Sequence, residues 1–274
     1  MTSVKYPSQS SEPIFRNLAE FWAAATIEGP AAKVEPLASK GEPSPPVGER
    51  PAPTAESETE ASPAPFRLVR PGLVEAAVRE PLWFCPPSLV AHRGSLEFAR
   101  DSELERESLG LFLYKALLGE RSCFALAGGE GELYLGRGQE RVFLLYLAEE
   151  TLWVQGYSIL AFQRILNHRV QLMGQVGGLV AGGLYAVRLE GRGWVALSVS
   201  GEVAALRSTP AKPLRAVPIH LLAWSQALEP HLQTEHSLFN MVGKGCGDGA
   251  QFTFQGEGWV ALHGEENYMY PQVR

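Results

Sequence analysis

Gly191-Arg192-Gly193-Trp194-Val195-Ala196-Leu197 and Gly256-Glu257-Gly258-Trp259-Val260-Ala261-Leu262 are two nearly identical stretches of one chain. A less similar copy spans residues 128–135. Each copy follows a short apolar phrase, which ends in Ala-His at residues 91–92, Ala-Phe at 161–162 and Ala-Trp at 223–224. Strand-like units that recur along a chain predict a pseudo-symmetric β architecture.

The residues before these glycines alternate between apolar and polar side chains. Tyr185, Val187 and Leu189 occupy every second position before one copy, and Phe252 and Phe254 do so before another. A period of two predicts a strand with one buried face. Glycine reaches positive φ without strain, so a Gly-x-Gly between two strands predicts a hairpin turn. We therefore predict structural turns at Gly128, Gly131, Gly191, Gly193, Gly256 and Gly258.

Three units of this kind make up a β domain over residues 66–274, at about residues 82–140, 152–202 and 214–264. No unit is large enough to bury its own inner face. We therefore predict an all-β fold whose units close around a shared axis as a pseudo-threefold β-prism or barrel. The first unit is the longest, and its surplus coincides with the charged residues 101–108, which we expect to form an exposed helical turn.

The N-terminal region is predicted to hold a short amphipathic helix over residues 12–28, followed by a linker. Residues 29–65 contain nine prolines and no aromatic residue. We expect this Pro/Ala/Glu-rich segment to be disordered. The helix either docks on its own β domain or is a tethered contact for a protein partner. Its possible contact side chains lie at helical spacing: Phe15, Leu18, Phe21 and Trp22.

Bulk properties exclude several classes of protein. The 274 residues carry a net charge of −6, whereas nucleic-acid-binding proteins usually show a basic excess, so no nucleic-acid partner is expected. No apolar run approaches the ~18 residues that span a bilayer. The first residues resemble neither a secretory signal nor a mitochondrial transit peptide, which favours a cytoplasmic protein. Cys85, Cys123 and Cys246 are far apart and odd in number, which favours packing roles.

The sequence offers little for catalysis. Asp101 and Asp248 are its only aspartates, and no G-x-S-x-G nucleophile motif is present. The glycine-rich residues 243–249 lack the order of a phosphate-binding loop, and residues 231–236 lack the histidine spacing of a zinc protease. His92 and the other isolated histidines are expected to pack as ordinary side chains. We therefore expect no catalytic residue, no metal site and no cofactor.

The chain resembles the altered inheritance of mitochondria protein 24 family. Five segments carry the resemblance: residues 160–162, 177–179 and 222–224, together with the repeated stretches at 189–195 and 254–260. The resemblance covers about residues 82–264. It implies an all-β, pseudo-threefold prism or barrel related to the trp RNA-binding attenuation protein fold, in a family without established catalytic residues. The N-terminal helix and linker are not part of the family pattern.

These observations predict a non-enzymatic scaffold that assembles with itself or with a protein partner. A small-molecule or lipid-binding β module is the alternative, with a ligand in a crevice between units. RNA binding is suggested by analogy of fold alone.

Overall fold

The structure is a computed structural model of the chain. It describes residues 14–25, 63–100, 124–138, 140–173, 175–176, 179–180, 185–234 and 250–264. Nearly all of the predicted linker, the charged residues 101–108 and the glycine-rich residues 243–249 lie outside the described residues.

The described residues form an all-β fold with a single short helix, which confirms the predicted fold class at that level. The helix α1 spans Leu18–Ala25. The strands are β1 Ile14–Phe15, β2 Phe66–Arg70, β3 Leu73–Val78, β4 Leu82–Phe84, β5 Leu89–Arg100, β6 Ala125–Leu135, β7 Arg141–Gln155, β8 Ile159–Gln163, β9 Asn167–Leu172, β10 Gln175–Val176, β11 Leu179–Val180, β12 Tyr185–Val199, β13 Val203–Ser208, β14 Leu214–Ala216, β15 Leu221–Ser225, β16 Glu229–Thr234, β17 Ala250–Gln255 and β18 Gly258–His263.

Thirteen of these strands share one large sheet. Its main path runs β13-β18-β15-β7-β12-β8-β4-β6-β3-β2, with β1 on β7, β5 on β6 and β9 on β12. All pairs are antiparallel except β1 with β7. A second sheet has the order β14-β17-β16, and β10 pairs with β11. Neither of the larger sheets closes on itself among the described residues, so these strands do not show the predicted prism or barrel closure.

The predicted alternation holds for the apolar side chains, but only in part for the residues between them, because Ala186 and Thr253 are buried as well. Tyr185, Val187 and Leu189 are buried in β12, while Arg188 and Glu190 are partly exposed. In β17 the rings at positions 252 and 254 are likewise buried. The apolar faces pack into one cluster around β7, β12 and α1, a second around β3, β4 and β6, and a third around β14, β15 and β17.

The predicted glycine hairpins are wrong, because the glycines bend long strands and do not reverse the chain. β12 runs through Gly191 and Gly193 and stays paired with β7 on both sides of a register shift. On its other edge β12 changes partner from β9 to β8. Gly191 and Gly256 both have φ of 114°. β17 and β18 flank Gly256 but belong to different sheets. The positive φ therefore serves a bend at which a strand changes neighbours.

The N-terminal helix begins at Leu18, later than the predicted residue 12, and the predicted helical residues 26–28 lie outside the described residues. The two residues of β1, which the prediction placed in the helix, pair with Leu144 and Leu145 of β7. Asn17 begins the helix, because its Oδ1 accepts the backbone N–H of Glu20 at 2.8 Å. The Glu20 carboxylate accepts the N–H of Arg16 at 2.6 Å. An asparagine cap with a reciprocal glutamate fixes the start of a helix at this point.

Candidate functional site

The glycines predicted as structural turns do not converge on one site. They mark separate bends: Gly128 and Gly131 on β6, Gly191 and Gly193 on β12, and Gly256 and Gly258 at the start of β18. Within the described part of the chain, no three His, Cys, Asp or Glu side chains are grouped as metal ligands would be. In the part of the chain that the structure describes, no helix has the combined length and apolarity needed to cross a membrane.

The predicted contact side chains of the N-terminal helix pack on the chain's own β domain. Phe21 and Trp22 are only 2% and 8% exposed. Phe15 and Leu18 are partly buried against the same cluster. The helix packs against β7, β13 and β18, and the Phe15 ring stacks on Phe143 at 6.0 Å. The structure thus favours docking of the helix on its own domain over a tethered partner contact.

One structural feature occurs three times, and we call it a corner: a strand, a one-turn 3-10 helix and a second strand. The first corner joins β4 to β5 through Pro86–Ser88. The second joins β7 to β8 through Gly156–Ser158, and the third joins β14 to β15 through Pro218–His220. The outgoing strands β5, β8 and β15 are the three apolar phrases found in the sequence.

The outgoing strands share one register against the last strand of their own unit, which is β6, β12 or β18. Leu89 lies opposite Leu135, Ile159 opposite Leu197, and Leu221 opposite Leu262. In each outgoing strand the next residue is skipped, since it has no opposite partner in this register, and the pairing resumes at Ala91, Ala161 or Ala223. The skipped residues are therefore equivalent positions in the three corners: Val90, Leu160 and Leu222.

Successive corners are joined by pairing between the incoming strand of one and the outgoing strand of the next. We call this pairing a junction. In the first junction β4 pairs with β8, with Trp83 opposite Phe162 and Phe84 opposite Ala161. In the second, the end of β7 pairs with β15, with Trp153 opposite Trp224 and Val154 opposite Ala223. The Trp153 and Trp224 rings are parallel, with centroids 6.1 Å apart.

The outgoing strand of the first corner has no such neighbour among the described residues. β5 pairs with β6 on one edge only. Leu160 and Leu222 are 0% and 1% exposed, whereas the equivalent Val90 is 63% exposed. Ala91, His92 and Arg93 are exposed as well. We call residues 90–93, on the side away from β6, the open edge. It is the candidate functional site, because an unpaired strand edge is a ready template for another strand.

Aromatic side chains flank the open edge. His92 is exposed, so the ordinary packing expected of this side chain is limited to its contact with Phe98. Its ring meets Phe98 edge-on at 5.4 Å, and Phe98 in turn contacts the buried Phe84 at 5.5 Å. The equivalent positions in the other corners are the buried Phe162 and Trp224. The polar pair His-Arg at 92–93, where the other phrases have Phe-Gln and Trp-Ser, is the sequence signal that could have singled out this strand.

Polar side chains cover the surface next to the open edge. The Arg93 guanidinium lies 3.8 Å from the Glu132 carboxylate, with 77% and 37% of the two side chains exposed. Tyr134 donates a hydrogen bond to the same carboxylate at 3.0 Å. That bond raises the pKa of Tyr134. The protonated phenol is thus the donor in this hydrogen bond, and the Glu132 carboxylate accepts it.

A partly buried basic group contacts both of the first two corners. The Nη2 atom of Arg137 lies 3.0 Å from Cys85 Sγ, and its guanidinium lies 4.0 Å from the centroid of the Tyr157 ring. Burial lowers the pKa of Arg137, but the neighbouring Cys85 and Tyr157 outweigh burial and leave the pKa above its ordinary value. Arg137 therefore stays charged, and we assign it a structural role beside the first junction.

Comparison with solved structures supports the fold. The chain is similar to the crystal structure of protein SPYM3_0169 from Streptococcus pyogenes, with a TM-score of 0.54 and 19% sequence identity. The match covers 73% of this chain and 92% of that protein. Comparison with curated proteins found no match.

The sequence resemblance is confirmed by a family model. The model described as mitochondrial biogenesis AIM24 matches residues 72–264. The matched range includes all three corners and leaves out α1. This chain therefore belongs to the AIM24 family.

Proposed function

We propose that this protein is a non-enzymatic, cytoplasmic scaffold that assembles with other polypeptides through the open edge of β5. The observation that carries the proposal is the 63% exposure of Val90 where the equivalent leucines are buried. Natural sheets usually cover or charge their edges, and an apolar residue on a bare edge is typical of strand-addition sites.

The repeated corners support the finer architecture of this scaffold. We propose that the three units are copies of one module with pseudo-threefold kinship. The support is the common register, with the same skipped residue, in all three outgoing strands. The described strands make two junctions and leave the outgoing strand of the first corner without one, which offers a place for a partner strand.

A scaffold role also suits the family description, mitochondrial biogenesis. Assembly of this kind needs a shaped surface and no reacting group, which agrees with a sequence that has only two aspartates and no nucleophile motif.

Affinity capture with matched variants tests the proposal. Val90→Lys places a charge on the open edge at an exposed position, so the fold should tolerate it. Ile165→Lys is the control, since Ile165 is 73% exposed but lies in the turn after β8. We expect polypeptides that bind the wild-type chain and Ile165→Lys to be lost from Val90→Lys. An identical set of bound polypeptides for all three chains, each folded by circular dichroism, would refute the proposal.

A further inference from the structure

The two junctions inside the chain follow one rule. Each joins an incoming strand to the outgoing strand of the next corner in the same register. Leu82 begins β4 and Leu152 lies near the end of β7, and these leucines lie opposite Gln163 and Ser225. Two residues further along each incoming strand, the residue opposite on the outgoing strand is an alanine, Ala161 or Ala223. Both alanines are fully buried.

The chain also contains both halves of a third junction. β14, the incoming strand of the third corner, begins with Leu214 and lies at the end of the order β14-β17-β16. The open edge of β5 is the matching outgoing strand. The rule would place Leu214 opposite Arg93 and Ala216 opposite Ala91. The described structure does not make this junction within one chain, because Ala91 is exposed. Ala216 is already buried in the third apolar cluster of its own chain.

We propose that the third junction forms between chains, so that β14 of one copy pairs with the open edge of β5 of a second copy. This inference rests on the proposed function and names the partner as the same polypeptide. It commits to a second copy because each chain presents one outgoing and one incoming half of the same junction. Two copies that reciprocate this contact form an isologous dimer, and several copies that pass it head to tail form a heterologous ring.

The expected register explains the composition of the open edge. Ala91 and Ala216 are both small, so the two backbones can approach there as they do at Ala161 and Ala223. The Arg215 position falls opposite His92, where the second junction has its parallel tryptophans. A guanidinium packs well on an aromatic face, so an arginine is a suitable partner for that ring.

Disulfide trapping between separate chains tests the pairing. Directly opposed residues in an antiparallel pair have Cα atoms about 4.5–5.5 Å apart, within the roughly 4.4–6.8 Å that a disulfide bridges. Ala91→Cys and Ala216→Cys chains are purified separately, mixed and oxidised. We expect a two-chain product linked through positions 91 and 216, identified by peptide mass, in the mixture but not in either variant alone.

Controls separate this product from background. Oxidised wild-type chains report crosslinks through the three native cysteines. A mixture of Ile165→Cys with Ala216→Cys pairs an exposed residue that is out of register, and should give no linked product. A chain carrying both Ala91→Cys and Ala216→Cys that forms the disulfide as a monomer would show closure within one chain and overturn the proposal.

The mass in solution gives a second measurement that does not depend on cysteine. Light scattering should give more than one chain per particle for the wild type and for Ile165→Lys, and one chain for Val90→Lys. A wild-type monomer at every concentration, with no mixed disulfide, overturns self-assembly. If Val90→Lys nevertheless loses captured proteins of another kind, the scaffold proposal survives and only the identity of the partner is wrong.

Discussion

β5 and β8 begin with closely similar phrases, Ser-Leu-Val-Ala-His at residues 88–92 and Ser-Ile-Leu-Ala-Phe at 158–162, yet their environments are opposite. Both leave a 3-10 turn, and both pair with the long strand of their own unit in one register. β8 is buried because β4 covers its second edge, while the same edge of β5 is bare among the described residues. Burial here is decided by the neighbouring unit more than by the strand itself.

Phe162→Ala and His92→Ala test this comparison most strongly. Phe162 is fully buried between β4 and β12, and truncating such a ring costs about 3–5 kcal/mol. His92 is exposed at the equivalent position, where a substitution usually changes stability by within about 0.5 kcal/mol. Urea unfolding of dilute protein measures both. Equal losses would show that β5 is covered after all.

Gly131→Ala and Gly128→Ala test how closely β5 lies on β6. A Cβ atom at Gly131 would overlap the carbonyl oxygen of Arg93, whereas one at Gly128 would meet nothing within 4 Å. Forcing backbone apart in this way costs about 1–3 kcal/mol, so Gly131→Ala should lower the unfolding midpoint and Gly128→Ala should not. A large loss for Gly128→Ala would contradict the described path of β6.

Asn17→Ala tests how much α1 stabilises the domain by packing on β7. Losing the cap of α1 should cost about 1 kcal/mol. Asn17→Asp is the control, because a carboxylate caps as well as an amide. Thermal unfolding distinguishes them. If the aspartate variant falls as far as the alanine variant, the hydrogen bond from Glu20 to Asn17 is not what holds the helix start.

Arg93→Ala should have the smallest effect. The Arg93 side chain is 77% exposed and its ion pair with Glu132 is long, and exposed pairs contribute at most about 1 kcal/mol. The loss should shrink further at high salt because exposed charges are screened. Unfolding at low and high salt measures the difference. A loss that persists in high salt would mean that Arg93 is buried against another surface.

Much of the fold could be predicted from the sequence. The alternation at Tyr185, Val187 and Leu189 indicated strands because a half-buried strand imposes that period. The three phrases located the three outgoing strands, and the resemblance identified the family. These signals are local, since each is written within a few adjacent residues.

Pairing partners were harder to predict because they depend on distant residues. A Gly-x-Gly between apolar strands fits both a hairpin turn and a positive-φ bend, and only the positions of β8 and β9 beside β12 decide between them. The helix start was misplaced because residues 14–15 carry apolar side chains that suit β1 equally well. The open edge was missed because Val90 is apolar, like Leu160 and Leu222. It differs from them in that no second strand pairs with β5 among the described residues.

The bend at Gly191 also has a mechanical consequence. β12 pairs with β7 along its length on one edge, and with β9 and then β8 on the other. Separating one half of β12 from its partners would therefore disturb the pairing of the other half. Backbone amides on both sides of the bend should therefore exchange with deuterium as one cooperative group. A continuous strand of this kind stiffens the middle of the sheet, and a force applied to an edge strand would be transmitted to the central strands.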